Sequence, residues 1–223
     1  MRQILDTQSS LERSDLRPVL HVITDETTQS SYTHATLARL VSANGADFVQ
    51  YREKRHFDTR TLCRNAATIM EICAQSEHSQ LVVNDRVDVA YAIGAQAIHL
   101  GRQDLKISVA RRILGPDALI GGTSNSLDEA TKLSNEPVDY LGVGPIFGTV
   151  SKENPAPQLG LARLARICSD SPHPVIAIGN IRIENVPDVI EAGATGIAVL
   201  SAIASSDDPG RATFEFVKAL EEC

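Results

Sequence analysis

Short apolar runs, rich in β-branched residues, recur along the chain with room for one helix between each pair. The runs at 19–24, 46–52, 80–84, 97–100, 118–122, 138–143, 175–178 and 196–200 predict strands. They are apolar at nearly every position, the habit of strands buried on both faces in a parallel sheet covered by helices. Between them the period changes. Leu62, Ala66, Ile69, Met70 and Cys73 fall on one helical face, as do Leu161, Leu164, Ala165 and Cys168, and then Ile183, Val186, Val189 and Ile190. A last helix is expected from about 211 to 221.

Eight strands alternating with helices over this length point to an α/β fold, a single (β/α)8 TIM barrel. The competing layout, a doubly wound open sheet, would normally carry a glycine-rich turn after its first strand. The first strand here ends "HVITDETT", with no glycine. A chain of 223 residues is comfortable for one barrel. Residues 1–17 are expected to form a short N-terminal extension and 18–223 the catalytic barrel.

Composition then removes whole classes. With 43% hydrophobic residues the chain can bury a large core, and a net charge of −7 argues against a nucleic-acid binder that relies on a basic face. No apolar run approaches the ~18 residues a membrane span requires. The opening "MRQILDTQSSLERSDLRP" is polar and mixed in charge, unlike a secretory signal. Cys63, Cys73, Cys168 and Cys223 lack metal-ligand spacing, and Cys63 and Cys73 read as thiols of a helical face. A reducing cytoplasm is the expected location.

In a (β/α)8 barrel the functional groups gather at the C-terminal ends of the strands. That rule explains why the third and fourth apolar runs both end in an acid beside a turn, at Asn84-Asp85 and at Gly101 to Asp104. The other strands end as "QYREK", "GGTSNS", "GPIFGTVSK", "AIGNI" and "AVLSAI". The predicted rim thus holds the cations Arg52, Lys54 and Lys152 and the carboxylates Asp85 and Asp104. Hydroxyls and amides join them from Gln50, Asn84, Thr123, Thr149 and Ser151. Two carboxylates beside cations suit Mg²⁺ bridging to a polyphosphate. The loops after strands seven and eight offer a second, backbone-built anion site.

Each residue also has a plainer role. Asp85 could cap a helix beginning near Arg86, and Asp104 one beginning near Ile107. Arg52 and Lys54 could belong to a solvated charge run. His21 and His99 read as barrel histidines with satisfied partners rather than catalytic bases, and His34, His56, His78 and His173 as surface residues. The signal is the shared rim, not any one side chain.

Five separated motifs, in order, give the chain a family resemblance: "QYREK" (50–54), "VNDRVDVA" (83–90), "IHLGRQDL" (98–105), "GPIFGTVSK" (144–152) and the pair "AIGNI" and "GIAVLSAI". From about Val19 to Ile203 the sequence resembles the thiamine phosphate synthase family. The resemblance implies joining of a hydroxymethylpyrimidine diphosphate to a hydroxyethylthiazole phosphate, with release of pyrophosphate. It implies that Arg52, Lys54, Asn84 and Lys152 hold the diphosphate and that Gln50 meets the pyrimidine side. It also implies Asp85 and Asp104 as Mg²⁺ ligands, and Thr149 and Ser151 near the thiazole and diphosphate. Backbone near Gly179, Val199, Leu200 and Ser201 would take the thiazole phosphate. Lys152, Arg52 and Thr123 are the residues it marks for catalysis. The implied partners are these small molecules, with no nucleic acid and no membrane, and self-association as a homo-oligomer is left open.

Departures from the family pattern sharpen two alternatives. Asn180 stands where a second glycine is usual, and asparagine best tolerates a left-handed backbone among non-glycine residues. Thr123 stands where serine is usual, Asn125 where histidine is, Ser151 for threonine and Gly148 for proline. One alternative is a sister thiazole tautomerase, but its proton-shuttling histidine would fall at Asn125. The other is a barrel that binds thiamine intermediates without turnover, for which a metal-diphosphate rim would have no use.

Overall fold

A computed structural model describes residues 17–29, 31–148 and 156–223. Among these, eight strands close into a barrel in chain order. They are β1 (Val19–Thr24), β2 (Phe48–Tyr51), β3 (Gln80–Asn84), β4 (Ala97–Leu100), β5 (Leu119–Ser124), β6 (Tyr140–Val143), β7 (Val175–Ile178) and β8 (Gly196–Val199). All neighbours pair in parallel, and β1 closes the ring on β8, with His21 opposite Ala198. The TIM barrel expected from the apolar runs is the fold observed.

The helices are α1 (His34–Ser42), α2 (Thr59–Ala74), α3 (Val87–Ile93), α4 (Ile107–Leu114), α5 (Leu127–Leu133), α6 (Leu161–Asp170), α7 (Val186–Glu191), α8 (Ser201–Ala204) and α9 (Pro209–Glu221). Side chains cap the first turns of α1, α2 and α5: Thr33, Asp58 and Ser126 accept from Thr36, Thr61 and Glu129 N–H groups. The anticipated face of α2 is buried at Leu62, Ala66, Ile69 and Cys73, together with Ile72. Met70, assigned to the same face, is only partly buried and packs at its edge.

Alternation along each strand separates two apolar regions. Leu20 and Val22 of β1 join the large cluster between sheet and helices, and Val19 and Ile23 face the barrel interior. Each fully buried Leu or Ile contributes roughly 1.5–3 kcal/mol. The interior is not uniformly apolar: His21, Gln50, His99 and Tyr140 line cavities there. β2 is shorter than its apolar run because Ala46 N–H is spent on Val41 in the turn leaving α1. The strand in turn gains depth where Arg52 N–H bonds Thr24.

His34 overturns one expectation. It is buried, with Nδ1 2.7 Å from Thr24 Oγ1 and Nε2 3.2 Å from Glu53 Oε2. Polar partners from β1 and the β2 loop make the inside of the fold hospitable to it. His56 and His78 are exposed as expected, and His173 is half-buried with Nε2 3.2 Å from Ser134 O.

Candidate active site

The two acidic turns meet. Asp85 N–H donates to His99 O at 2.9 Å, which ties the end of β3 to β4. The Asp85 carboxylate takes Lys54 Nζ at 2.5 Å and also lies against the Asp104 carboxyl. Asp104 Oδ2 accepts from Gly101 N–H at 2.6 Å, and a methyl on Gly101 would stand 2.8 Å from that oxygen. Neither acid caps a helix. Arg86 precedes α3 and Lys106 precedes α4, both without a side-chain cap, and Asp85 has φ 65°. That left-handed backbone turns Asp85 away from the helix start.

Electrostatics sets the two carboxyls apart. Burial pushes Asp104 up, and the adjacent Asp85 carboxylate pushes it further, to about 6. Burial also works against ionised Asp85, but the hydrogen bond with Asp104 and the Lys54 ammonium outweigh it and hold Asp85 below its ordinary value. Two facing carboxylates with the Lys54 ammonium against one of them offer hard oxygen donors, and that donor chemistry fits a hard cation such as Mg²⁺.

Behind the rim, Arg52 is held by an acid that the linear pattern did not mark. Asp25, fully buried at the end of β1, pairs through Oδ2 with the Arg52 guanidinium. Its Oδ1 accepts from Thr27 N–H at 2.9 Å and Thr27 Oγ1 at 2.6 Å. Glu53 faces away from the cavities into a second set, where Arg55 holds it at 2.6 Å and Glu26 at 2.7 Å.

Two cavities open on this face. A deep one of about 140 Å³ is lined by Gln50, Arg52, Asn84, Thr123 and Gly179, among others. A second of about 400 Å³ lies at the ends of β7 and β8, against Gly179, Asn180, Val199, Leu200 and Ser201. Arg52, Gly179, Ile23, Ile178 and Ala198 line both, so the cavities share a wall. Arg182 adds a cation to the second cavity that the sequence reading did not single out. Asn180 has φ 50°, the left-handed conformation expected of it. Gly179 has φ 113°, and a methyl there would fall 2.5 Å from Pro145 Cα. Asn125 Nδ2 donates to Gly144 O, which occupies the side chain structurally. Thr149, Ser151 and Lys152 lie outside the described residues.

A closed barrel that gathers a carboxylate pair, the paired cations Arg52 and Lys54 and a second cavity at the ends of β7 and β8 on one rim has the layout of a TIM-barrel enzyme. The sequence profile of the thiamine monophosphate synthase family matches residues 20–203. The chain is 42% identical to the thiamine-phosphate synthase of Salinibacter ruber over 202 residues, covering 91% of this chain and 88% of that one. It is 44% identical to that of Methanoculleus marisnigri over 189 residues, covering 85% and 89%. The solved structure of thiamine phosphate pyrophosphorylase from Pyrococcus furiosus superposes with a TM-score of 0.84 at 34% identity, covering 92% of this chain and 96% of that one. The chain belongs to the thiamine monophosphate synthase family, whose activity is that of a transferase.

Proposed function

We propose that the protein joins 4-amino-5-hydroxymethyl-2-methylpyrimidine diphosphate to hydroxyethylthiazole phosphate, giving thiamine phosphate and pyrophosphate. The observation that carries this reading is the shared wall. A pyrimidine in the deep cavity and a thiazole phosphate at β7 and β8 would meet beside Arg52 and Gly179.

In this reading Arg52, Lys54, Asn84 and Lys152 bind the diphosphate, and Gln50 and Thr123 face the pyrimidine. Asp85 and Asp104 would hold Mg²⁺, which when bound supplies positive charge to the diphosphate oxygens. Backbone near Gly179, Val199, Leu200 and Ser201 takes the thiazole phosphate, with Arg182 at its edge. The methylene C–O bond breaks with its electron pair leaving on pyrophosphate, and the electron-rich pyrimidine stabilises the cation. The thiazole nitrogen lone pair then forms the C–N bond. No protein nucleophile is required, so positioning and charge stabilisation carry the rate. Asn125, committed to Gly144 O, gives the tautomerase alternative no proton shuttle.

No helix among the described residues is long and apolar enough to cross a membrane. Cys63, Cys73 and Cys223 are free thiols, which supports a reducing cytoplasm as the working compartment.

The test is an assay of purified protein with both substrates, with and without Mg²⁺, following thiamine phosphate as thiochrome. Mg²⁺-dependent product supports the reading. Absence of product, with the thiazole phosphate still bound, would replace it by the binding-barrel alternative.

A further inference from the structure

The barrel interior contains a hydrogen-bond chain that the reaction as described does not use. Tyr140 Oη lies 3.1 Å from His99 Nδ1, and His99 Nε2 lies 2.9 Å from Thr123 Oγ1. Glycines make room for it. A methyl on Gly121 would lie 2.1 to 2.5 Å from Tyr140 ring atoms, and one on Gly142 would lie 2.7 Å from His99 Cε1. His21 packs against the same phenol with ring centroids 5.5 Å apart. Burial, then the neighbouring His99, pushes His21 down to about 3, so it adds no charge.

The direction of the chain follows from the phenol. Tyr140 is buried, burial holds it protonated, and a buried phenol O–H requires an acceptor. His99 Nδ1 is the acceptor in reach. His99 therefore carries its proton on Nε2 and donates it to Thr123 Oγ1. With that oxygen accepting, the threonine's own O–H is directed away from His99, toward the cavity that Thr123 lines.

We infer that Tyr140 and His99 are positioning residues that fix the Thr123 hydroxyl as a hydrogen-bond donor to a ring nitrogen of the pyrimidine. The substrate named here rests on the synthase reading; the direction of the chain does not. The neutral groups His21, Gln50, Thr123 and Tyr140 suit an uncharged heteroaromatic ring, and the cations Arg52 and Lys54 suit its diphosphate. A reversed chain would present an acceptor and would favour the pyrimidine's exocyclic amine instead.

Two measurements test this. In protein labelled with ¹⁵N-histidine, His99 is expected to show a protonated Nε2 and an unprotonated Nδ1. A proton on Nδ1, with or without one on Nε2, overturns the inference, because Nδ1 could then no longer accept from the phenol. Calorimetric binding of the pyrimidine diphosphate is expected to weaken about three- to tenfold in Tyr140→Phe and in Thr123→Val, the net worth of one hydrogen bond. The double variant should be no weaker than Thr123→Val alone, and Thr123→Ser should bind like the parent. Unchanged binding by Tyr140→Phe, or additive losses in the double variant, overturns the positioning role. A parent protein that shows the expected tautomer yet does not bind the pyrimidine diphosphate overturns the substrate assignment and leaves the chain's direction supported.

Discussion

Asp104 lies against Asp85, whose carboxylate also holds the Lys54 ammonium. Asp104→Asn should then separate function from stability. Its raised carboxyl favours folding below the ordinary carboxylate value and loses that contribution as pH rises through about 6. Above pH 6 the asparagine variant should melt a few degrees higher than the parent, an advantage absent near pH 4. The same variant should lose Mg²⁺-dependent turnover. In the parent, apparent Mg²⁺ affinity should improve as pH rises through about 6, and a flat calorimetric profile between pH 5 and 8 would refute the assignment.

Asp25 and Arg52 form a buried pair in which removal of either partner strands the other. Asp25→Ala should cost about 3–5 kcal/mol by urea denaturation. It should also weaken pyrophosphate binding, because Arg52 loses its anchor. Arg52→Lys should fail to restore wild-type affinity, since an ammonium cannot reproduce the planar guanidinium contact.

Glu53 gives a pH-dependent stability of the opposite sign. Its burial would raise the carboxyl, but hydrogen bonds from Arg55 and contact with His34 overcome that and lower it to about 2. A lowered carboxyl contributes stability above its unfolded value, and the contribution is lost as pH falls toward 2. Glu53→Gln should therefore destabilise at pH 7 and converge with the parent in acid. A penalty that persists unchanged at pH 3 would show packing, not charge, to be responsible.

Gly142→Ala would drive a methyl into the His99 ring. Displacing the ring should cost about 1–3 kcal/mol of stability and weaken pyrimidine diphosphate binding together. Retained binding alongside the stability loss would show that His99 moves without consequence for Thr123.

Asn180→Gly should be tolerated, because the position is already left-handed. Asn180→Val should destabilise by roughly 1 kcal/mol or more. Thiazole phosphate affinity should follow the same order, and calorimetry on the two variants would decide it.

Much of this was legible along the chain, for a physical reason. Strand burial and helix periodicity are local, so the apolar runs marked every strand, and the rule for barrel rims placed Asp85 beside Asp104. Pairings between distant residues left no such trace. Asp25 and Arg52 meet only because β1 and β2 are in register, with Thr24 opposite Tyr51. His34 looked like a surface histidine because its partners Thr24 and Glu53 lie 10 and 19 residues away. Tyr140 lies within the sixth apolar run, where nothing local marks it; its hydroxyl acquires meaning only across the barrel from His99, 41 residues earlier. The left-handed turn at Asp85 was likewise invisible, since aspartate before a helix ordinarily signals a cap.

The wall common to the two cavities also bears on inhibition. Two separate pockets would bind their occupants independently, each with its own loss of translational freedom. Under the proposed assignment, one molecule carrying both a heteroaromatic head and a phosphate tail would span the shared wall at Arg52 and Gly179 and occupy both at once. Tethering turns the second contact into an intramolecular one and raises affinity by about 10²–10⁴ over either half. Under the proposed assignment the reaction product is itself such a tethered molecule, and its escape, rather than bond formation, is then the step expected to limit turnover.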